Sequence, residues 1–441
     1  MSDQAASLVE QAQAALLFMK RLLDSQQHDQ FIRAESAFYM KFIRAIETHE
    51  HHDTMFRMLE PLVIQYGERV RRQVGVEKGG SVGDSVCYFL PSLDNDLAHI
   101  ELLSNILRSR SDNKSRRFFI AGFSESGTAI RSRNITQLAR EHGISVIALK
   151  SSHQALIDFS RWFLSNGIGL LVHYSIPTLL PVWLEVLGPH RVAWYITKFE
   201  LESFRHLKNG ISGVGTKYEV IRRERVSWYR APAALPQSYL FDFVLTGRGD
   251  IQTVTVNREE KIKNPDYLRA ITTILHENPG VHFSWTGRER DQFIVQSFKA
   301  SGLASRNKYL GWVNHVELLP RYDIFLDTFG LSGMVAASAF SSGMPTLFMR
   351  NSGTWLESFE EEIVDACIDQ EPDIESRISS VLADSPDDYL SKAAKLIDAV
   401  RQGRFTGCWQ KDNGMKWFFD SNRAFQRHER AINEILFSSL V

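Results

Sequence analysis

Residues 308–350 read KYLGWVNHVELLPRYDIFLDTFGLSGMVAASAFSSGMPTLFMR, in the order strand, short helix, strand, loop, helix, strand. Residues 322–327 (YDIFLD) are a short apolar run bounded by polar residues, which is how a strand buried in a parallel sheet reads. A loop over 328–332 follows. Residues 333–340 (GMVAASAF) are small and helix-forming, and Gly343 with Pro345 stops this helix before a new strand at 346–349 (TLFM). The helix opens on a Ser-Gly pair. Ser332 is the expected N-cap and Gly333 leaves the backbone open to a ligand, so free N–H groups and the positive end of the helix dipole would face an anion. A diphosphate is the expected anion. Alone, such a helix start marks an ordinary structural βαβ unit more often than a site. The balance shifts because 311–315 (GWVNH) is a second strand-end loop at the same edge. Two such loops make the crevice in which open α/β sheets bind ligands.

This pattern resembles the donor-binding half of a GT-B glycosyltransferase, in particular the family containing O-GlcNAc transferase and the bacterial cytoplasmic protein N-glucosyltransferases. Four pieces carry the resemblance: the helix start NPDYL at 264–268 after a strand at 252–256, the strand end WTGR at 285–288, the His315 loop, and the run from LDTF at 326–329 to GMP at 343–345. They cover residues 240–350, and the likeness is looser outside. The resemblance implies an α/β fold of GT-B type, with two Rossmann-like domains facing a cleft and an all-helical domain before them. It further implies a hexosyltransferase that moves a sugar from a nucleotide-diphosphate sugar, first of all a UDP-sugar, to a protein acceptor. The nucleotide sugar is then a substrate, and neither a cofactor nor a metal is expected. A glycan-directed transferase, a nucleotide-sugar epimerase and a non-catalytic scaffold that binds a partner protein are the alternatives.

Composition bounds these expectations. A chain of 441 residues has room for two or three domains with their own cores. Lys and Arg number 51 against 52 Asp and Glu, a net charge of -1 that offers nucleic acid no basic footprint. The three cysteines, Cys87, Cys367 and Cys408, lie far apart without C-x-x-C spacing, so neither a zinc site nor a disulfide framework is expected. The polar start MSDQAASLVEQAQ is not a signal peptide, and no apolar run reaches the length of a membrane span. A cytoplasmic enzyme is the expectation.

In chain order, residues 5–23, 31–48 and 53–72 show helical spacing of apolar residues and define a helical domain over 1–80. The cluster His49-Glu50-His51-His52 reads as a turn between helices, not a metal site. The stretch 77–84 (EKGGSVGD) is a linker. A first Rossmann-like domain, on the acceptor side, is expected over 81–235. Within it, strands at 88–91, 117–122 and 144–149 enclose helices at 98–108 and 129–142; a strand from 168, a helix at 176–187 and a strand at 191–195 follow. The loop 123–128 (FSESGT) is neither a G-x-G-x-x-G fingerprint nor a P-loop, which weakens dehydrogenase and NTPase readings. The segment 231–236 (APAALP) breaks any helix and serves as the hinge. The nucleotide-sugar domain is expected over 236–405, and 406–441 as a C-terminal helix returning to the first sheet domain.

The candidate site residues follow. In the resembled family the loop corresponding to 257–264 gives a lysine to the diphosphate; here Lys261 and Lys263 flank that register, with Arg258 as a third cation. An ammonium there would offset charge that develops on the leaving diphosphate. Gly287 after its strand allows close backbone approach, and Arg288 reaches for phosphate. His315 matches the family's histidine that hydrogen-bonds the donor, and Asp327 and Thr328 match its residues at the end of the next strand. Glu125 and His173, both at strand ends of the first sheet domain, are the candidates for catalytic contact with acceptor or sugar; for His173, capping of a strand end is the competing reading. Two departures matter. Residues 330–333 (GLSG) lack the family's denser Asn/Thr/Gly cluster, which leaves the sugar open. Ser338 stands where retaining GT-B enzymes commonly carry a glutamate, which favours inversion.

Overall fold

The computed structural model describes residues 3–44, 49–75, 83–95, 98–109, 116–174, 176–196, 200–201, 203–213, 218–223, 225–245, 249–330, 333–350, 360, 364, 372–405 and 420–438. The chain divides into two compact units, one of residues 1–234 with 421–441, the other of residues 235–420.

The first unit is built on strands β1 (Val86–Leu90), β2 (Phe118–Phe123), β3 (Ser145–Leu149), β4 (Leu170–Tyr174), β5 (Val192–Ile196), β6 (Asn209–Ser212), β7 (Glu219–Arg222) and β8 (Ser227–Arg230). Their order is β3-β2-β1-β4-β5-β6-β8-β7, parallel except for the β7–β8 pair. Side chains alternate across a strand, so each strand feeds two cores. From β1, Cys87 and Phe89 join one core while Val86, Tyr88 and Leu90 join the other. The first core is covered by α1 (Asp3–Asp24), α2 (His28–Phe38), α3 (His49–Val74), α6 (His153–Ser165) and α7 (Leu180–Leu187). The second is covered by α4 (Ala98–Arg108), α5 (Arg133–His142) and the helix Ser421–Ser438, through Phe425, Ala431, Ile432 and Ile435.

The N-terminal helices are therefore a layer of the first unit. Met19, Leu23, Phe31, Met55 and Tyr66 share one core with Phe89, Leu171 and Trp194. Four side chains from this layer also bond to other parts of the unit: Glu35 accepts the Leu179 N–H (3.2 Å), Glu60 the Arg205 N–H (2.5 Å), Asp53 the Ser203 hydroxyl, and Tyr66 bonds His153 Nδ1 at the start of α6 (2.9 Å). The histidine cluster opens α3 instead of forming a turn, with His51 Nε2 on the Phe42 carbonyl at 2.6 Å and His52 buried. Cys87 is buried in the sheet; Cys367, Cys408, most of the 77–84 linker and residues 406–419 lie outside the described residues.

The second unit carries β9 (Ile251–Thr255), β10 (Val281–Trp285), β11 (Asn307–Tyr309), β12 (Ile324–Leu326), β13 (Thr346–Met349) and β14 (Leu382–Ala383). They form one parallel sheet in the order β11-β10-β9-β12-β13-β14. Its helices include α8 (Glu259–Ile262), α9 (Pro265–Glu277), α10 (Gln292–Ala300), α11 (His315–Leu318) and α12 (Met334–Ser341). α9 begins as its sequence dictates: the Asn264 side chain accepts the N–H groups of Asp266 (3.0 Å) and Tyr267 (3.2 Å), with Pro265 in the first turn. Among the described residues no helix is long and apolar enough to cross a membrane, and no group of three or more His, Cys, Asp or Glu side chains is arranged for a metal ion.

Candidate functional site

In the second sheet the chain runs outward from β9 to β10 and β11 on one side, then returns to β12 on the other. The point of reversal lies between β9 and β12, where open α/β sheets bind ligands beyond the carboxyl ends of their strands. Just past β9 stands Asn257, and just past β12 stands Asp327. Asn257 Nδ2 donates to Asp327 Oδ1 at 3.2 Å, and the same oxygen accepts the Thr328 N–H at 3.0 Å. Two buried phenols fix this end of β12 from below: Tyr267 donates to the Leu326 carbonyl (2.9 Å) and Tyr389 to the Asp327 carbonyl (3.1 Å).

Asp327 and Thr328 are themselves sealed from solvent. The half-buried Asn257 is the outward-facing member of the group, and Asp327 acts by orienting its amide. The sequence expectation selected the carboxylate and passed over Asn257. An Asn two residues beyond a buried strand, with an Asp directly after the neighbouring strand of the sheet, is the signal that identifies it.

The lysines separate cleanly. The stem of Lys261 lies over the loop after β12, its Cγ 3.8 Å from where a Cβ on Gly330 would stand. Lys263 turns away and pairs with Asp291 at 2.5 Å; the hydrogen bond to that carboxylate raises its pKa above the ordinary value. Asp291 in turn caps α10 by accepting the Phe293 (2.9 Å) and Ile294 (3.3 Å) N–H groups. Lys263 is thus committed to a helix cap while Lys261 sits at the reversal point. Arg258 precedes α8 in extended conformation.

Gly287 is buried. A Cβ there would come within 2.8 Å of Glu259 Oε2, the oxygen that accepts the Arg288 N–H at 2.8 Å. The Gly287 carbonyl accepts from the Tyr309 hydroxyl at 3.0 Å. Glycine therefore clears room for a carboxylate, and the exposed Arg288 is held by its backbone. Gly333, not Ser332, is the N-cap of α12; its backbone is extended and a Cβ there would meet nothing within 4 Å. Leu331 and Ser332 lie outside the described residues.

His315 opens the short helix α11, behind Asn314, whose side chain accepts the Val316 N–H at 3.2 Å. Its ring meets the edge of Tyr239, centroids 4.6 Å apart at 80°. Burial lowers its pKa to about 4, so the imidazole is neutral at neutral pH, and its Nε2 is buried with no hydrogen bond among the described residues.

Two candidates lie in the first unit. Glu125 is exposed, paired with Arg131 at 2.7 Å, and its N–H is held by Asp94 at 2.7 Å. His173 is fully buried, stacked on Phe89 (5.5 Å), with Nε2 on the Ile176 carbonyl at 2.8 Å; burial lowers its pKa to about 4. A fully buried ring stacked on Phe89, with one nitrogen bonded to a backbone carbonyl, serves the packing of a strand end.

No protein-family model matches the chain, and no curated protein matches it in sequence. Solved structures do. It is similar to an O-GlcNAc transferase mutant from Thermobaculum terrenum at 14% identity, TM-score 0.61, over 97% of this chain and 84% of that one. It is also similar to a glycosyltransferase from Rickettsia africae at 9% identity, TM-score 0.54, over 80% and 98% of the two chains. A lipopolysaccharide outer core galactosyltransferase gives 10% identity, TM-score 0.51, over 79% and 99%. The fold is that of the GT-B glycosyltransferases. The 97% span necessarily includes the N-terminal helices, whereas spans of 79–80% leave room to omit them.

Proposed function

We propose that the chain is a glycosyltransferase that takes a sugar from a nucleotide-diphosphate sugar, UDP-linked by preference, and transfers it to a protein acceptor with inversion and without a metal. The observation that carries the donor site is Lys261 lying over Gly330 beside the Asn257–Asp327 pair, at the reversal point of a parallel sheet. A diphosphate there meets the Lys261 ammonium on one side and the open start of α12 at Gly333 on the other. Both offset charge that grows as the glycosidic bond breaks, which is where electrostatic stabilisation accelerates reaction. Asn257, oriented by Asp327, supplies an amide for ribose or phosphate oxygens, and Arg258 and Arg288 are further cations for phosphate. The neutral His315 offers Nε2 to the donor. Glu125, paired with Arg131 in the first unit, is the carboxylate proposed for contact with the acceptor. Preference for a protein acceptor rests on the likeness to O-GlcNAc transferase, whose span takes in the helical layer.

Calorimetry and thermal shift with UDP, GDP, CMP and TDP test the donor site. UDP should bind, Lys261→Ala should weaken it at least about tenfold, equivalent to about 1.4 kcal/mol, and Lys263→Ala should change it less than about twofold. Binding of none of the four nucleotides refutes the donor site. Transfer to unfolded protein substrates or to glycans, with and without EDTA, then separates the acceptor classes and tests metal independence.

A further inference from the structure

The segment that enters the second unit is clamped onto two of the elements just described. Gln237–Tyr239 forms a single 3-10 turn after Pro236. The Tyr239 carbonyl accepts the Ser338 hydroxyl, and two residues on the Phe241 N–H donates to Ser342 Oγ at 3.1 Å. Ser338 and Ser342 stand four residues apart, one at the centre and the other at the C-cap of α12, and so face the same way. The Tyr239 ring meanwhile meets the His315 imidazole at 80° with centroids 4.6 Å apart. The segment is thus fixed by its backbone to the helix whose start is the candidate diphosphate site, and by its side chain to the candidate donor histidine.

We propose that Tyr239 is a positioning residue for His315: its ring holds the imidazole in one orientation, with Nε2 presented to the donor, and the Ser338 hydroxyl holds Tyr239. This deepens the donor-site reading and rests on it. Three observations converge. An aromatic edge against an imidazole fixes the tilt of the ring. Nε2 is a buried polar atom without a partner among the described residues, which a ligand atom can satisfy only if the ring stays in place. Ser338 is fully buried, at the position where the sequence lacks the expected carboxylate; its hydroxyl is used to hold Tyr239. The absence of a glutamate there has a local use, since the position is packed against the carbonyl of an arriving segment.

The test combines histidine NMR of the full chain with calorimetry. With ε1-labelled histidine, the resonance lost in His315→Asn identifies His315 among 14. In the wild type it should stay neutral down to about pH 4. In Tyr239→Ala it should titrate nearer the ordinary histidine value, because the ring that buries it is gone, and Tyr239→Phe should restore the wild-type curve. UDP affinity should fall about tenfold in Tyr239→Ala and return to within about twofold in Tyr239→Phe. An unchanged His315 titration in Tyr239→Ala overturns the positioning role, and so does loss of affinity in Tyr239→Phe equal to that in Tyr239→Ala. If Tyr239→Ala does not fold, Ser338→Ala replaces it: a His315 shift in the same direction supports the proposal, and none overturns it. Failure of UDP to bind the wild type refutes the donor site, whereas the titration in the ligand-free protein tests the positioning contact independently.

Discussion

Glu35→Gln probes how the helical layer is joined to the first sheet. Glu35 lies on α2, 2% exposed, and its carboxyl accepts the Leu179 N–H. Leu179 has φ 62, a left-handed conformation that a leucine adopts only when its surroundings hold it there. Burial raises the Glu35 pKa from the ordinary 4.5 to about 8. The folded protein therefore holds a proton that the unfolded chain releases, and the stability contributed by this group is full below pH 4.5 and is lost as pH rises through 8. The slope in that window is about 1.4 kcal/mol per pH unit, so the total is at most about 5 kcal/mol. Glutamine keeps the carbonyl acceptor for Leu179 and cannot ionise, but its amide adds a buried donor pair that costs about 1–2 kcal/mol. Denaturation of wild type and variant, followed by tryptophan fluorescence from pH 5 to pH 9, should then give curves that cross. The variant is the less stable near pH 5 and the more stable above pH 8. Parallel curves across the whole range would refute both the buried ionisable carboxyl and the close union of helices and sheet that creates it.

Two further outcomes concern the second unit. Gly287→Ala should displace the Glu259 carboxylate and loosen its bond to the Arg288 N–H, lowering stability by about 1 kcal/mol in chemical denaturation. Tyr389→Phe should cost about 1–2 kcal/mol, because the Asp327 carbonyl at the buried end of β12 loses its donor, and differential scanning calorimetry should show the change in melting of that unit.

What was legible in the sequence was what is decided within a few residues. The strand 346–349 between Gly343-Met344-Pro345 and Arg350, the cap of α9 at Asn264-Pro265 and the helix 98–108 all have their causes in adjacent side chains. Helix α6 was not anticipated, although Leu156, Phe159 and Phe163 carry its period; what requires it is that β3 and β4 are parallel strands of one sheet and need a crossover between them. The choice between Lys261 and Lys263 was equally closed to sequence. Two residues apart on a helix they point in nearly opposite directions, and only the placement of α8 against β12 and α10 decides which faces the reversal point. Asn257 and Glu259 were hidden for the same reason, since each acts through a partner more than two dozen residues away.

The two sheets differ at their reversal points in a way that bears on the proposed donor site. Both run 3-2-1-4 from one edge to the strand past the reversal point, so both possess a crevice position by topology. In the first unit that position is filled. Leu90 at the end of β1 and His173 and Tyr174 at the end of β4 are wholly buried, His173 is stacked on Phe89, and Tyr174 lies flat on Tyr195 at 4.2 Å. A charged ligand would have to displace packed aromatic rings there. In the second unit the equivalent ends carry Asn257 and Asp327, bonded to each other, with the Lys261 stem over Gly330 in the loop after β12. Burying polar groups at a sheet end costs stability unless they are paired or put to use. The polar pair at the reversal point of the second unit meets that condition by mutual bonding, whereas the same position in the first unit is closed by aromatic rings, and this difference supports the proposed donor site in the second half.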